Sequence, residues 1–362
     1  MIRIFVVVAS LLLAAPAWAL AVAFINPGKS DEAYWVAAAR AMQVAAASLD
    51  VQLEVHFAER EHPRVFAIAR EILARPKGKQ PDYVVFSNDY ATGPELLRLF
   101  DGSGIKCFMA YSSPVSAERA QTGEPRQRYK GWIGSLEPRA EDAGYLTAKA
   151  LIERGRQAKA RGPDGKLHLL AIAGDRSTTS SIRRNAGMRR AVEEAGDVVL
   201  DQEVYANWTR EKAAEQSEWL FERHPAARLV WAGNDLMAFG AMQSLEKRGG
   251  KPGQTMWFSG INTSREAMDA IKSGRLSALA GGHFIAGAWS LVMIYDYHHG
   301  RDFADEGLEL DRSMFTLFDA ASADVFLARF GERYDSLDFR SYSKVLNPRL
   351  RRYEFGFAQL LR

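Results

Sequence analysis

Gly260 to Trp289 reads GINTSREAMDAIKSGRLSALAGGHFIAGAW. Asn262, Thr263 and Ser264 offer side-chain oxygens that can cap a helix N-terminus, and Arg265 to Ile271 follows with helical spacing. Gly274 stops that helix. Leu276 to Ala280 is a short apolar strand, and Gly281-Gly282 allows a bend where a side chain would clash. His283 sits at the bend, and Ala286 to His298 opens another apolar helix. A strand end, a helix, a strand, a bend and a further helix make a parallel α/β pattern. The bend reads as a hinge between two lobes.

The same alternation runs outward in both directions. Strands are expected at Leu20–Ile25, Val51–Phe57, Asp82–Ser87 and Ile105–Ala110, separated by helices at Asp31–Leu49, Pro63–Ala74 and Thr92–Phe100. Ser112 to Arg128 is polar and reads as a surface loop. After a short strand near Tyr129–Ser135, a second series begins. Its strands are Leu167–Ala173, Val198–Tyr205, Arg228–Ala232 and Thr255–Ile261, with helices at Arg139–Arg154, Ser177–Ala195, Arg210–Arg223 and Asn234–Lys247. Asp311 to Phe318 is extended. This pattern implies an α/β fold of two doubly wound parallel-sheet lobes. From about Ser322 the chain is helical and then basic and aromatic.

The chain has 362 residues, 47% hydrophobic and 25% charged, with a net charge of +3. That size fits about two domains, and the charge is too near balance for a nucleic-acid binder. Met1-Ile-Arg3, the apolar run Ile4–Ala15 and Ala17-Trp18-Ala19 form a secretory signal, with cleavage expected after Ala19. The run is shorter than the ~20 residues that span a bilayer. The mature protein is therefore expected to be soluble and exported. The single cysteine, Cys107, cannot form an internal disulfide and sits in a buried-strand context.

No Gly-rich phosphate loop, GxSxG elbow, HExxH or CxxC pair is present. His298-His299 are adjacent on a helix and diverge, which makes a poor metal pair. No cofactor, no metal and no catalytic pair is indicated. What remains is a set of polar and aromatic residues at strand ends, where open parallel sheets bind ligands. They are Tyr34 and Trp35, Asn88 and Asp89, Glu137, Arg183-Arg184, Trp208, Asn234-Asp235, Asn262 and His283. Carboxylates, carboxamides and arginine pair with vicinal hydroxyls, and aromatic faces cover a sugar ring. Each has a plainer reading: Tyr34 and Trp35 as core, Asn234, Asp235 and Asn262 as helix caps, one of the two arginines as surface charge, and His283 as a satisfied core histidine. Trp231 and Trp257, inside strands, read as core.

Three segments resemble the type I periplasmic binding proteins, the ribose and galactose receptor family. SSIRRNAGM (Ser180–Met188) is similar to the family's S-x-R-x-R-x-x-G-F, which places the ligand arginine on Arg184. WAGNDLMAFGAMQSL (Trp231–Leu245) is similar to its N-D-x-M-A-x-G-A segment, with Asn234 toward the ligand and Asp235 as cap. The opening stretch is similar to its G-x-D-G…A-I-x-x-G-x-L-x-A-T-x-A-Q segment. Asn262 stands where the family carries aspartate, and Gly282 where it carries a hinge glutamine. Tyr34-Trp35 replaces the paired phenylalanines of ribose receptors and is similar to the autoinducer-2 receptors, whose hinge arginine is absent here.

The resemblance implies a clamp with three crossover segments, placed near Ser135, at Gly281-Gly282 and between His299 and Met314. The expected parts are a signal peptide at 1–19, one lobe from 20–134 plus 283–303, a second from 135–282 plus 304–320, and an extension at 321–362. The ligand-binding set it implies is Tyr34, Trp35, Asn88, Asp89, Glu137, Arg184, Trp208, Asn234, Asn262 and His283. The protein is then a monomer that clamps a sugar-like or polyol ligand and presents the closed form to the permease of an ABC importer. The alternative is a ligand-sensing co-receptor for a membrane histidine kinase or diguanylate cyclase, which the aromatic, basic tail favours as an extra interface. An exported enzyme is the remote alternative.

Overall fold

The computed structural model describes residues 20–331 and 337–361. The expected signal peptide lies outside the described residues. Among them, no helix is long and apolar enough to cross a membrane.

Two six-stranded sheets form the framework. The first contains β1 (Ala21–Asn26), β2 (Gln52–Phe57), β3 (Tyr83–Phe86), β4 (Lys106–Ala110), β5 (Trp132–Pro138) and β11 (Glu309–Arg312), in the order β11-β5-β4-β3-β1-β2. The second contains β6 (Leu167–Ala173), β7 (Val198–Tyr205), β8 (Leu229–Ala232), β9 (Trp257–Ile261), β10 (Ala278–Gly281) and β12 (Thr316–Leu317), in the order β12-β10-β9-β8-β6-β7. All pairings are parallel except β10 with β12. Strands such as β3, β8 and β9 are buried along their whole length. That is what a sheet covered on both faces by helices demands.

The covering helices are α1 (Ala33–Leu49), α2 (His62–Ala74), α3 (Gly93–Phe100) and α4 (Ser116–Thr122) on the first lobe, then α5 (Ala140–Gln157), α6 (Thr179–Ala195), α7 (Arg210–Arg223), α8 (Asp235–Lys247) and α9 (Arg265–Lys272) on the second. Next come α10 (Ala286–His298) and α11 (Ala320–Phe330). The helix α4 lies inside the stretch read as a loop. Its third residue, Glu118, accepts from the Val115 N–H at 2.9 Å, a local cap that outweighs the loop-like composition. The residues of α10 from Ala286 to Ile294 are all buried, because the helix packs on α1, β4 and β5 and is overlaid by the chain terminus.

Sheet membership moves two of the expected lobe boundaries. Ser135 lies within β5, which pairs with β4 on one side and β11 on the other, so the first lobe runs on to Pro138. The register of Glu309 with Ser135 and Arg312 with Pro138 puts 309–312 in the first lobe, not the second. The chain crosses between sheets after Pro138, between Gly281 and Ala286, and between Arg312 and Thr316. A parallel edge strand contributed from 174 residues away has no signal in local spacing, which is why the sequence placed the first and third crossings differently.

The tail is part of the core. α11 packs on α9 of the second lobe, and Lys272 pairs with Asp324 at 2.6 Å. From residue 337 the chain then lies against α10 and, at 357–361, against α11. Asp296, fully buried on α10, accepts from the Ser343 hydroxyl, the Lys344 and Val345 N–H groups and the Tyr353 hydroxyl. Phe355 stacks on Trp289 at 5.1 Å, and Phe357 packs with Phe284, Phe326 and Phe330. The aromatics that suggested a partner interface are thus largely buried against this chain itself. Replacing Asp296 by alanine leaves several buried donors without an acceptor, each worth about 1–3 kcal/mol. The Asp296→Ala protein should therefore lose about 3 kcal/mol of unfolding free energy, read by urea denaturation. A loss within experimental error would mean the tail is not anchored there.

Candidate functional site

The site forms where the carboxyl ends of both sheets face each other. Glu32, Tyr34, Trp35, Arg60, Asp89 and Tyr111 come from the first lobe, and Ser180, Arg184, Trp208, Asn234 and Asn262 from the second. Pro138 and Ala140, His283, and Phe315 come from the three crossings. Every crossing thus contributes to the wall, so the cleft exists only while the lobes are held together. Direct bonds join them: the Tyr90 N–H donates to the Thr178 hydroxyl at 3.1 Å, and the Thr179 hydroxyl to the Ser113 carbonyl at 2.7 Å. Thr178 spends its own proton on Asp175, which leaves its oxygen free to accept from the opposite lobe.

Arg184 is the centre of the second-lobe wall. It stands on α6, which can approach α5 closely because Gly144 lacks a side chain. A Cβ on Gly144 would lie 1.8 Å from the Arg184 carbonyl oxygen. The guanidinium donates to the Gly233 carbonyl at 2.7 Å and to His283 Nε2 at 2.9 Å, and lies 5.5 Å from the Trp208 ring. Burial lowers its pKa to about 10. A guanidinium has no acceptor, so His283 Nε2 is the accepting nitrogen and Nδ1 carries the hydrogen. Burial, and then Arg184, hold His283 neutral by pushing its pKa well below the usual histidine value. The imidazole is sandwiched between Tyr34 at 4.7 Å and Phe315 at 4.4 Å.

On the first lobe, Arg60 Nε donates to Glu32 at 2.9 Å, and its Nη1 stands 3.9 Å from Asp89. The Ser87 hydroxyl donates to Asp89 at 2.7 Å. Trp35 and Tyr111 meet edge to face at 5.2 Å. Non-glycine residues with left-handed backbone gather around the cleft: Arg60 at φ 62°, Tyr90 at 56°, Tyr111 at 71°, Trp208 at 66° and Asn262 at 118°. Such strain costs on the order of 1 kcal/mol per residue and clusters at ligand clamps.

Eight of the ten expected ligand residues line the cleft: Tyr34, Trp35, Asp89, Arg184, Trp208, Asn234, Asn262 and His283. Several also carry structural duties. Asn234 caps α8 by accepting from the Met237 N–H and donates to the Trp208 carbonyl. Trp208 Nε1 donates to Asp175 at 2.6 Å. Asn262 donates its amide to Asp235, which also takes the Ser264 hydroxyl.

Asn88 and Glu137 are not in the wall. Asn88 caps α3 through Gly93 N–H and donates to Glu118. Glu137 takes the Ser113 hydroxyl and lies 3.7 Å from Arg183, the surface member of the arginine pair. Glu32, Arg60, Tyr111 and Phe315 line the cleft without having been singled out. Arg60 follows the carboxyl end of β2 and Glu32 precedes Tyr34, so strand-end position could have found both. Phe315 has no such mark. Among the described residues, no three His, Cys, Asp or Glu side chains come together as a metal site.

These lobes and crossings define a two-lobed ligand clamp. Residues 22–301 match the family model described as periplasmic binding protein domain, and the chain belongs to that family. The structure superposes on a periplasmic sugar-binding protein from Pseudomonas fluorescens with a TM-score of 0.84 and 37% identity, covering 95% of this chain and 100% of that one. A solute-binding protein from Actinobacillus succinogenes with bound D-allose shares the fold, with a TM-score of 0.70 and 17% identity over 84% of this chain and 99% of that one. A 109-residue segment is 30% identical to the D-ribose/D-allose-binding protein of Pseudomonas aeruginosa, covering 30% of this chain and 33% of that relative. An 87-residue segment is 36% identical to the HTH-type transcriptional regulator AscG of Escherichia coli, covering 24% of this chain and 26% of the regulator. The chain therefore matches only about a third and about a quarter of those two curated relatives.

Asp89 yields a test of the cleft's electrostatics. Burial pushes its carboxyl up to about 6, against the pull of Arg60 and Ser87. The folded protein then holds this proton to higher pH than the unfolded chain, so Asp89 costs stability above pH ~6 and the cost fades as pH falls through that value. Asp89→Asn, which never ionises, should melt above wild type at pH 8, with the gap narrowing towards pH 5. A gap independent of pH would rule out the buried charge as its source.

Proposed function

We propose that the protein is a periplasmic receptor that clamps a sugar or polyol between its lobes and presents the closed form to the membrane permease of an ABC importer, acting as a monomer without cofactor. The observation that carries this reading is the set of three buried, unpartnered nitrogens on cleft-lining residues, Arg60 Nη1, Arg184 Nε and His283 Nδ1. They await acceptors in a site otherwise lined by the aromatic residues Tyr34, Trp35, Trp208 and Phe315. That combination suits a polyhydroxylated ring or chain, which offers oxygens at its edge and C–H groups on its faces. The whole-length likeness to a sugar-binding protein supports it. Of the acids at or beside the cleft, Glu32 is held by Arg60, Asp89 by Ser87, Asp175 by Trp208 and Thr178, and Asp235 by Asn262 and Ser264, and binding, not turnover, is the reading we adopt. Export through the sequence 1–19 belongs to the same reading. The sensor alternative loses its support, because the tail that favoured it is packed on α9 and α10.

A thermal-shift screen with sugars, sugar derivatives and polyols tests this. A ligand at a hundred times its Kd adds about 2.7 kcal/mol to stability. Arg184→Ala should abolish the shift while the variant remains folded. A full shift in that variant would place the ligand elsewhere.

A further inference from the structure

The ionisable groups of the cleft are distributed unevenly. On the first lobe the buried guanidinium of Arg60 has its counter-ion, Glu32, and a second carboxylate, Asp89, 3.9 Å from its Nη1, although that nitrogen has no hydrogen-bond partner. On the second lobe Arg184 is only 6% exposed, yet among the described residues no carboxylate lies within ion-pair distance of it. Its partners are a carbonyl oxygen and a neutral imidazole, and Nε has none. The second-lobe acids that could have served are committed elsewhere. Asp235 takes Asn262, Ser264 and the Leu236 N–H, while Asp175 takes Trp208, Ser177 and Thr178. A buried cation without an anion is expensive, and the group that completes it gains most by being negative.

His283 sharpens the requirement. Its Nε2 is occupied by Arg184, so Nδ1–H is a donor, 3% exposed as a residue and without a partner. Two bonded residues, one cationic and one neutral, therefore each keep one donor without an acceptor. A hydroxyl can meet one of them but brings its own proton, whereas a carboxylate brings only acceptors and charge. We propose that the ligand is a sugar acid, of the uronate or aldonate class. Its carboxylate lies against Arg184 and His283, and its hydroxyls are directed to the first-lobe wall at Asp89 and Arg60. This assignment rests on the sugar-receptor reading above and narrows it to one chemical class. His283 and Arg184 become the specificity-determining pair, with His283 fixed as a donor by its bond to the arginine.

The test is isothermal titration of the full chain with matched pairs: D-glucuronate and D-glucose, D-galacturonate and D-galactose, D-gluconate and D-glucitol. At least one acid should bind about tenfold or more tightly than its neutral partner, the margin expected of a charge-assisted bond. Arg184→Gln should erase that margin. Arg184→Lys, which keeps the cation, should retain part of it and serves if the glutamine variant does not fold. His283→Gln, which restores a side-chain N–H, should keep the acid preference. Neutral sugars binding as well as their acids would overturn the sugar-acid assignment and leave the receptor reading standing. An acid preference untouched in both arginine variants would also overturn it. Binding of none of the acids, none of the neutral partners and no sugar or polyol in the wider screen would overturn the receptor reading itself.

Discussion

The bond from Arg184 to His283 is the constraint on which the cleft depends. It joins a helix of the second lobe to a crossing between the lobes, and it is made by a buried cation that cannot accept and a neutral ring that must. The bond fixes the histidine's hydrogen on Nδ1 and holds the ring plane between Tyr34 and Phe315, one from the first lobe and one from another crossing. The backbone beneath is arranged to permit it. Without the bare Gly144 on α5, the Arg184 turn of α6 could not sit where it does. Packing of α5 against α6 thus sets the position of the charge in the cleft.

The two walls solve the same problem differently. The first lobe neutralises its guanidinium internally, through Glu32, and leaves Asp89 with one hydroxyl donor. The second lobe satisfies its acids internally and leaves its guanidinium without a counter-ion. A ligand entering the cleft therefore meets a mixed wall, where Asp89 stands beside the open Arg60 Nη1, and a wall of open donors at Arg184 and His283, and its orientation follows from which end carries which chemistry. Left-handed backbone at Arg60, Tyr111, Trp208 and Asn262 is the local cost of aiming these groups inward.

Much of this was legible in the sequence because it is local. Alternating strands and helices gave the two lobes, and strand-end position placed Trp208 and Asn262 in one cleft although they are far apart in the chain, while the family resemblance picked Arg184 from the arginine pair. Where the reading failed, the cause was non-local pairing. Asn88 and Glu137 stand at strand ends like the others, but Gly93 and Glu118 claim the first, and Ser113 and Arg183 the second. The β11 strand joins the first sheet only because β5 leaves an edge open to it. Arg60 and Glu32 were overlooked because neither is unusual alone, and their value comes from pairing across 28 residues.

The bend at Gly282 has one more consequence. Its φ is 114°, and a Cβ there would lie 2.3 Å from the ring of Phe357. The hinge and the chain terminus are therefore shaped to each other, 75 residues apart in sequence. The lobes cannot be treated as exchangeable cassettes. A recombinant that takes its second crossing from a relative with a side chain at 282 must take that relative's terminus too, or its own Phe357 will occupy the space the new residue needs.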